Sequence, residues 1–192
     1  KIIRAARLQR RIKHCFGSGW VCLPHTAGFV DPLFSSGIAH SLSGIEKIIY
    51  ILSQYWDNNK LLQQNLKEYE YSVFEELKLM DQLIAGCYKT MAHFELFNAW
   101  SMLYFASMIA HEHRRMQHQS PGYFLNADDP SIRDMVQKSY ADLLKLISHQ
   151  KPSREDIGWF TNIIRKRIHP FNTAGLLDPS SKNMYRHTAA AL

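Results

Sequence analysis

Cysteine is scarce in this chain: Cys15, Cys22 and Cys87 are the only three in 192 residues. They make no Cys-x-x-Cys pair and no metal-ligand spacing. An odd count in a domain of ordinary size argues against a disulfide framework and suits a reducing compartment, the cytoplasm. No apolar run reaches the ~18–20 residues of a membrane span. The first residues are basic but lack the apolar core and small-residue cleavage site of a signal peptide. There is no Gly-x-Gly-x-x-Gly run, the fingerprint that cradles a pyrophosphate between a first strand and its helix. His111-Glu112-x-x-Arg115 stops one histidine short of a zinc-binding helix, and although His118 shares a helical face with His111, no metal site is expected. No Ser–His or Cys–His triad can be picked out.

What remains reads as a globular protein. Apolar residues make up 46% and charged residues 21%, ordinary values for a soluble domain. The length suffices for one domain with a real core, or for a domain plus a piece of another. The formal net charge of +6 is unevenly spread. Lys1, Arg4, Arg7, Arg10, Arg11 and Lys13 crowd the start, and Arg165, Lys166 and Arg167 sit near the end. Residues 1–14 read as a basic helix, either a solvated helix end or a phosphate- or nucleic-acid-binding arm. No aromatic residues interleave the charges, which disfavours nucleic acid. The opening on Lys1, inside what reads as a longer element, suggests a piece of a larger protein.

The most compressed stretch runs from Pro24 to Ile38. A short apolar run, Trp20 to Leu23, reads as a strand before it. A long apolar helix starts after it, with Ser35 or Ser36 as N-cap. Strand, Gly/Ser turn and helix N-terminus together present backbone N–H groups to an anion or a polar ring. Asp31-Pro32 favours a turn, and Asp31 reads as a structural brace more readily than as a base.

Phe29-Val30-Asp31-Pro32-Leu33-Phe34-Ser35-Ser36-Gly37-Ile38 resembles the second flavin motif of the flavin-dependent halogenases, the tryptophan halogenase family within the FAD-dependent monooxygenase superfamily. The flank Gly19 to Pro24 resembles the strand preceding that motif. Outside this region the likeness is diffuse: a helical C-terminal half with Asn183-Met184-Tyr185 near its end. The resemblance implies FAD as cofactor and a flavin-facing set of His25, Asp31, Pro32, Ser35, Ser36, Gly37 and Ile38. It also implies halide binding by the amides of Ser36 and Gly37. Two positions depart from the family. Pro24-His25 replaces a Gly-Asp whose aspartate hydrogen-bonds the cofactor's ribose or ribityl chain, and His25 would donate or accept there instead. Phe34 stands where tryptophan-type halogenases carry glutamate, and resembles the phenol- and pyrrole-acting branch and non-halogenating relatives. The family's Trp-x-Trp-x-Ile-Pro signature and essential lysine have no counterpart in this sequence.

Helical periodicity fills the rest. Ile38, Leu42, Ile45, Ile48, Ile49 and Leu52 recur at helical spacing from Ser36 to Tyr55, with Gly44 a point of close packing. Lys60 to Ala85 is amphipathic, its buried stripe marked by Leu62, Leu66, Tyr69, Val73, Phe74, Leu77, Met80 and Ile84, and Gly86 reads as a breaker or kink. A helix from Tyr88 to Gln117 carries Met91, Phe94, Phe97, Ala99, Trp100, Tyr104, Phe105 and Met108. That aromatic stripe is either helix–helix core or the wall of a substrate pocket. Further helices are expected from Ile132, capped by Ser131, to Ser148, and from Pro152 to Ile168, with Glu155 and Asp156 in the first turn of the latter.

The expected fold is mainly α. A strand–turn–helix edge of an FAD-binding α/β domain (residues 1–56) precedes a helical domain (57–192), the rest of the α/β domain being absent from this chain. Two functions follow. In the first, the chain is the C-terminal portion of an FAD-dependent oxidoreductase, supplying the second flavin-contacting turn and a helical lid. Reduced flavin and oxygen would then drive halide oxidation or ring hydroxylation on a small aromatic or carrier-bound substrate, with a flavin reductase as partner. FAD would not be retained by this piece alone. In the second, it is a helical interaction module without activity, whose Arg165–Arg167 cluster meets an acidic partner.

Overall fold

The computed structural model describes residues 9–32, 34, 36–117, 122–148 and 152–180. Four two-residue strands open the described chain: β1 (Arg10–Arg11), β2 (Phe16–Gly17), β3 (Trp20–Val21) and, after the single helical turn α1 (Pro24–Ala27), β4 (Gly28–Phe29). Five longer helices follow: α2 (Ser36–Tyr55), α3 (Asn59–Thr90), α4 (Phe94–Gln117), α5 (Pro130–Ser148) and α6 (Arg154–Ile168). Tight 3-10 turns cover Phe124–Asn126 and His169–Phe171. The fold is mainly α.

The N-terminal edge differs from the expected basic helix and lone strand. Residues 1–8 of that helix lie outside the described residues. Arg10–Arg11 is extended and pairs antiparallel with Gly28–Phe29. Trp20–Val21 pairs with Phe16–Gly17 in a hairpin, so the strand finds its partner within the chain. Beyond that register Cys22 keeps one backbone bond, to Cys15 O at 2.7 Å, and Leu23 leaves the hairpin, because Pro24 pre-sets the φ of a helix start and the chain turns into α1.

Helix α2 keeps its expected bounds and turns its faces round. Ser36, His40, Gly44, Lys47, Ile48 and Ile51 are buried. Ile38, Leu42 and Ile49 are 71%, 59% and 61% exposed. Four of the six residues expected on one buried stripe, Ile38, Leu42, Ile45 and Ile49, share the outer face, and of those six only Ile48 is buried. Pro24 explains the close approach at Gly44, where a Cβ would fall 2.3 Å from the proline ring. A charge on the outer face therefore costs little. Leu42→Glu should change the stability of this chain by no more than about 0.5 kcal/mol, whereas Ile48→Glu buries an unpaired charge and unfolds it. Denaturant titration of the two variants separates the faces; equal losses would mean α2 is packed the other way.

Helix α3 has the expected stripe, with Leu66, Tyr69, Val73, Leu77, Met80 and Ile84 buried. The Asn58 side chain caps it, accepting from Leu61 N at 3.1 Å. Gly86 does not break it. The helix runs on to Thr90 with the Nε1 edge of the Trp100 ring packed against the glycine backbone, and α4 consequently starts at Phe94 rather than Tyr88. Asp129, not Ser131, caps α5, accepting from Ser131 N at 2.7 Å. Ser153 and Asp156 form a reciprocal capping box on α6.

Two core clusters share α3. Its first half packs with the N-terminal segment and α2 around Cys15, Ala27, Ile51, Tyr69 and Val73. Its second half packs with α4, α5 and α6 around Leu83, Trp100, Leu103, Phe160 and Ile164.

Candidate functional site

The turn between β4 and α2 is braced from within. Asp31 is buried. Its Oδ1 accepts from Phe34 N at 3.1 Å and its Oδ2 accepts from the Tyr88 hydroxyl of α3. That is the structural role expected of Asp31, and the bond to Asp31 raises the pKa of Tyr88. Gly28 sits on Leu77, where a Cβ would lie 2.3 Å from a leucine methyl. The turn is thus seated on α3 at two points.

Ser36 begins α2 and is buried, and Gly37 is half-buried beneath His25. A Cβ on Gly37 would lie 3.0 Å from His25 Nδ1. The His25 ring makes an edge contact with Phe29 at 5.1 Å between centroids. His25, Asp31, Ser36 and Gly37 thus line one recess with Phe29 and His40. Pro32 is exposed at its rim, and Ile38 points outward. Ser35 lies outside the described residues. The first N–H groups of any helix have no intrahelical partner, and here they emerge beside small side chains at the positive end of a 20-residue helix dipole.

Against the other side of Ser36 lies an apolar cavity of about 280 Å³, walled by Phe34, Met80, Phe97, Tyr104 and Phe105, with the Ser101 hydroxyl among its few polar groups. Phe34 stacks edge-on against Tyr88 at 5.8 Å and tilts against Phe97 at 6.4 Å. The α4 aromatics therefore divide. Trp100 is fully buried core, its indole N–H donating to Leu83 O at 2.7 Å, while Phe97, Tyr104 and Phe105 face the cavity.

In sequence, 24% of 115 residues are identical to monodechloroaminopyrrolnitrin halogenase PrnC of Pseudomonas fluorescens, covering 60% of this chain and 20% of that protein. Tetracycline 7-halogenase of Kitasatospora aureofaciens is 26% identical over 102 residues, 50% of this chain and 18% of that one. In structure, halogenase PltM in complex with phloroglucinol and FAD superimposes with a TM-score of 0.73 at 19% identity, covering 95% of this chain and 40% of PltM. A second PltM crystal structure gives 0.72 over 92% of this chain and 39% of that one. The chain is halogenase-like, resembling part of a flavin-dependent halogenase. It spans about a fifth of the curated relatives and two-fifths of the solved structure. No protein-family model matches the sequence. Among the described residues no helix is long and apolar enough to cross a membrane.

Beneath the β4–α2 turn is a cluster that periodicity did not single out. Glu76 of α3 is 1% exposed. Its Oε2 pairs with His40 Nε2 at 2.8 Å, and its Oε1 accepts from Lys47 Nζ and from Phe124 N, the latter at 2.9 Å. Burial pushes the Glu76 carboxyl up, but Lys47 and His40 together outweigh it and hold the group below its ordinary range. Phe124 lies between two imidazoles, stacked on His40 and edge-on to His111. His111 is buried, and that burial lowers its pKa. The signal was present in the spacing: Ser36, His40, Gly44 and Lys47 form a second, polar stripe on α2, and Glu76 falls in phase with Tyr69, Val73 and Met80.

Two of the three C-terminal cations are spent inside the fold. Arg167 pairs with Asp142 at 2.6 Å, and Arg165 donates to Leu177 O at 2.7 Å.

Proposed function

We propose that this chain is the C-terminal portion of an FAD-dependent oxidoreductase of the halogenase-like class, supplying the turn that faces the flavin ring and the helical cover of the substrate space. The observation that carries this reading is the meeting of two features at Ser36. The amino end of α2 opens there with small residues, and the aromatic-walled cavity adjoins it. A ring held at the amides of Ser36 and Gly37 would lie beside space for a small aromatic substrate. FAD, when bound, supplies the redox chemistry with oxygen. This chain's own residues present N–H groups to the ring's electron-rich edge or to a halide. His25 stands where the family's aspartate meets the sugar chain, and the apolar walls exclude water. Asp31 accepts hydrogen bonds rather than protons from substrate, since its two oxygens brace the turn. The outward apolar face of α2 gives the remaining part of the flavin-binding domain a surface to pack on.

The test uses the full reading frame from which this segment is drawn. Purified, it should be yellow with oxidised flavin, and Gly37→Leu should strip the colour while leaving the helical circular dichroism unchanged. A folded, colourless protein that ignores added FAD would sink the reading and leave the interaction module standing. The 192-residue chain by itself should leave the fluorescence of added FAD unchanged.

A further inference from the structure

Two of the three cysteines face each other across the β2–β3 hairpin. The register pairs Gly17 with Trp20 and Phe16 with Val21, and the next step outward sets Cys15 opposite Cys22. Cys22 N donates to Cys15 O at 2.7 Å, which carries the hairpin's backbone bonding one step beyond the paired residues. Directly opposed residues of an antiparallel hairpin hold Cα atoms about 4.5–5.5 Å apart with both side chains on one face, within the Cα separation a disulfide bridges. Helix α3 pins both residues. Cys15 N donates to Glu70 Oε2 at 2.6 Å, and Cys22 O accepts from the Tyr69 hydroxyl at 2.9 Å. Cys15 is fully buried and Cys22 half-buried, and both pack into the smaller core cluster. Cys87 sits in the other cluster.

We propose that Cys15 and Cys22 form a cross-strand thiol pair which hydrogen peroxide converts to a disulfide, clipping the hairpin that feeds the chain into α1 and the flavin-facing turn. The half-buried Cys22 reacts first. Its sulfur takes one oxygen from peroxide to give a sulfenic acid and one water. The Cys15 sulfur then attacks that sulfur, a second water leaves, and the S–S bond forms. Two thiols are oxidised by two electrons, and one peroxide is reduced to two waters. Burial next to the Glu70 carboxylate and the Cys22 thiol pushes the Cys15 thiol up to about 12, which makes Cys15 the resolving partner and not the first to react. The clip acts on the site through Pro24, two residues beyond Cys22, which packs on Gly44 of α2. The proposal needs no bound flavin and stands or falls apart from the proposed function.

The test exposes the 192-residue chain to hydrogen peroxide, then unfolds it, alkylates it and digests it with trypsin. Residues 14–47 contain no internal lysine or arginine, so one peptide carries both cysteines. That peptide should lose two hydrogens and take up no alkylating reagent. Dithiothreitol should restore both thiols, and Cys87 should remain alkylatable. Two free thiols in that peptide, a link to Cys87, or a sulfinic acid on Cys22 alone would overturn the pairing. In Cys22→Ser, Cys15 should stay reduced at the same peroxide dose. Oxidation of Cys15 to the wild-type extent in that variant would equally refute it.

Discussion

Glu76→Ala should lower the stability of this chain by about 3–5 kcal/mol, because it leaves a buried ammonium and a buried imidazole without their common partner. Glu76 is the only anion in contact with Lys47 among the described interactions, and Lys47 is itself only 6% exposed. The same carboxylate accepts from Phe124 N, so the 3-10 turn at Phe124–Asn126 loses its anchor too. Removing the charges together is a different experiment. With Lys47→Met and Glu76→Leu combined, most of the loss should return, since apolar replacement of a buried pair is often neutral or better. Guanidinium titration of the single and double variants gives both numbers. A single variant losing under 1 kcal/mol would mean that water reaches the cluster.

The cluster also sets the acid limit. The folded-state pKa of Glu76 lies below its ordinary 4.5, so between the two values the unfolded chain binds the extra proton. The stabilisation is present above the unfolded value and disappears as pH falls through the folded one. His111 acts with the same sign in an earlier window. Burial lowers it from 6.5, so below that pH the unfolded chain gains a proton that the folded chain refuses. Stability should therefore fall in two acid steps, and Glu76→Gln should remove the lower one.

The second large effect belongs to Gly86. Alanine there would gain about 1 kcal/mol of helix propensity. Its methyl, however, would lie 1.9 Å from Cε2 of the Trp100 ring, which is fully buried. Overpacking costs about 1–3 kcal/mol, and a displaced indole also forfeits its bond to Leu83 O, a further loss of about 1–3 kcal/mol for a buried donor left unpaired. Gly86→Ala should thus be destabilising by about 1–5 kcal/mol on thermal or denaturant unfolding. A stabilised variant would show that α3 and α4 do not meet there.

Glu76 and Gly86 mark the limits of what the sequence discloses. Helix bounds were legible where one local force decides, as at Ser153 and Asp156 on α6 or through the length of α2. The buried face of α2 was not. Periodicity counts apolar residues, and here the polar stripe carries the buried ion cluster while isoleucines face out. Gly86 reads as a breaker because propensity acts locally, and Trp100, fourteen positions on, overrides it. Arg10–Arg11 became a strand through a partner seventeen and more residues away. At the site, the Asp31 brace and the small residues of the α2 start were readable from turn chemistry. The Tyr88 bond to Asp31 and the cavity behind Phe34 needed α3 and α4 to be placed first.

The 32-residue α3, about 48 Å long at 1.5 Å per residue, has a mechanical consequence. Its flank seats the turn at Leu77 and again at Tyr88, and the same rod carries the α4–α6 layer on Leu83 and Cys87. No joint lies between the two loads. The helical layer and the turn therefore move as one lever, and a displacement of either is carried along the rod to the other.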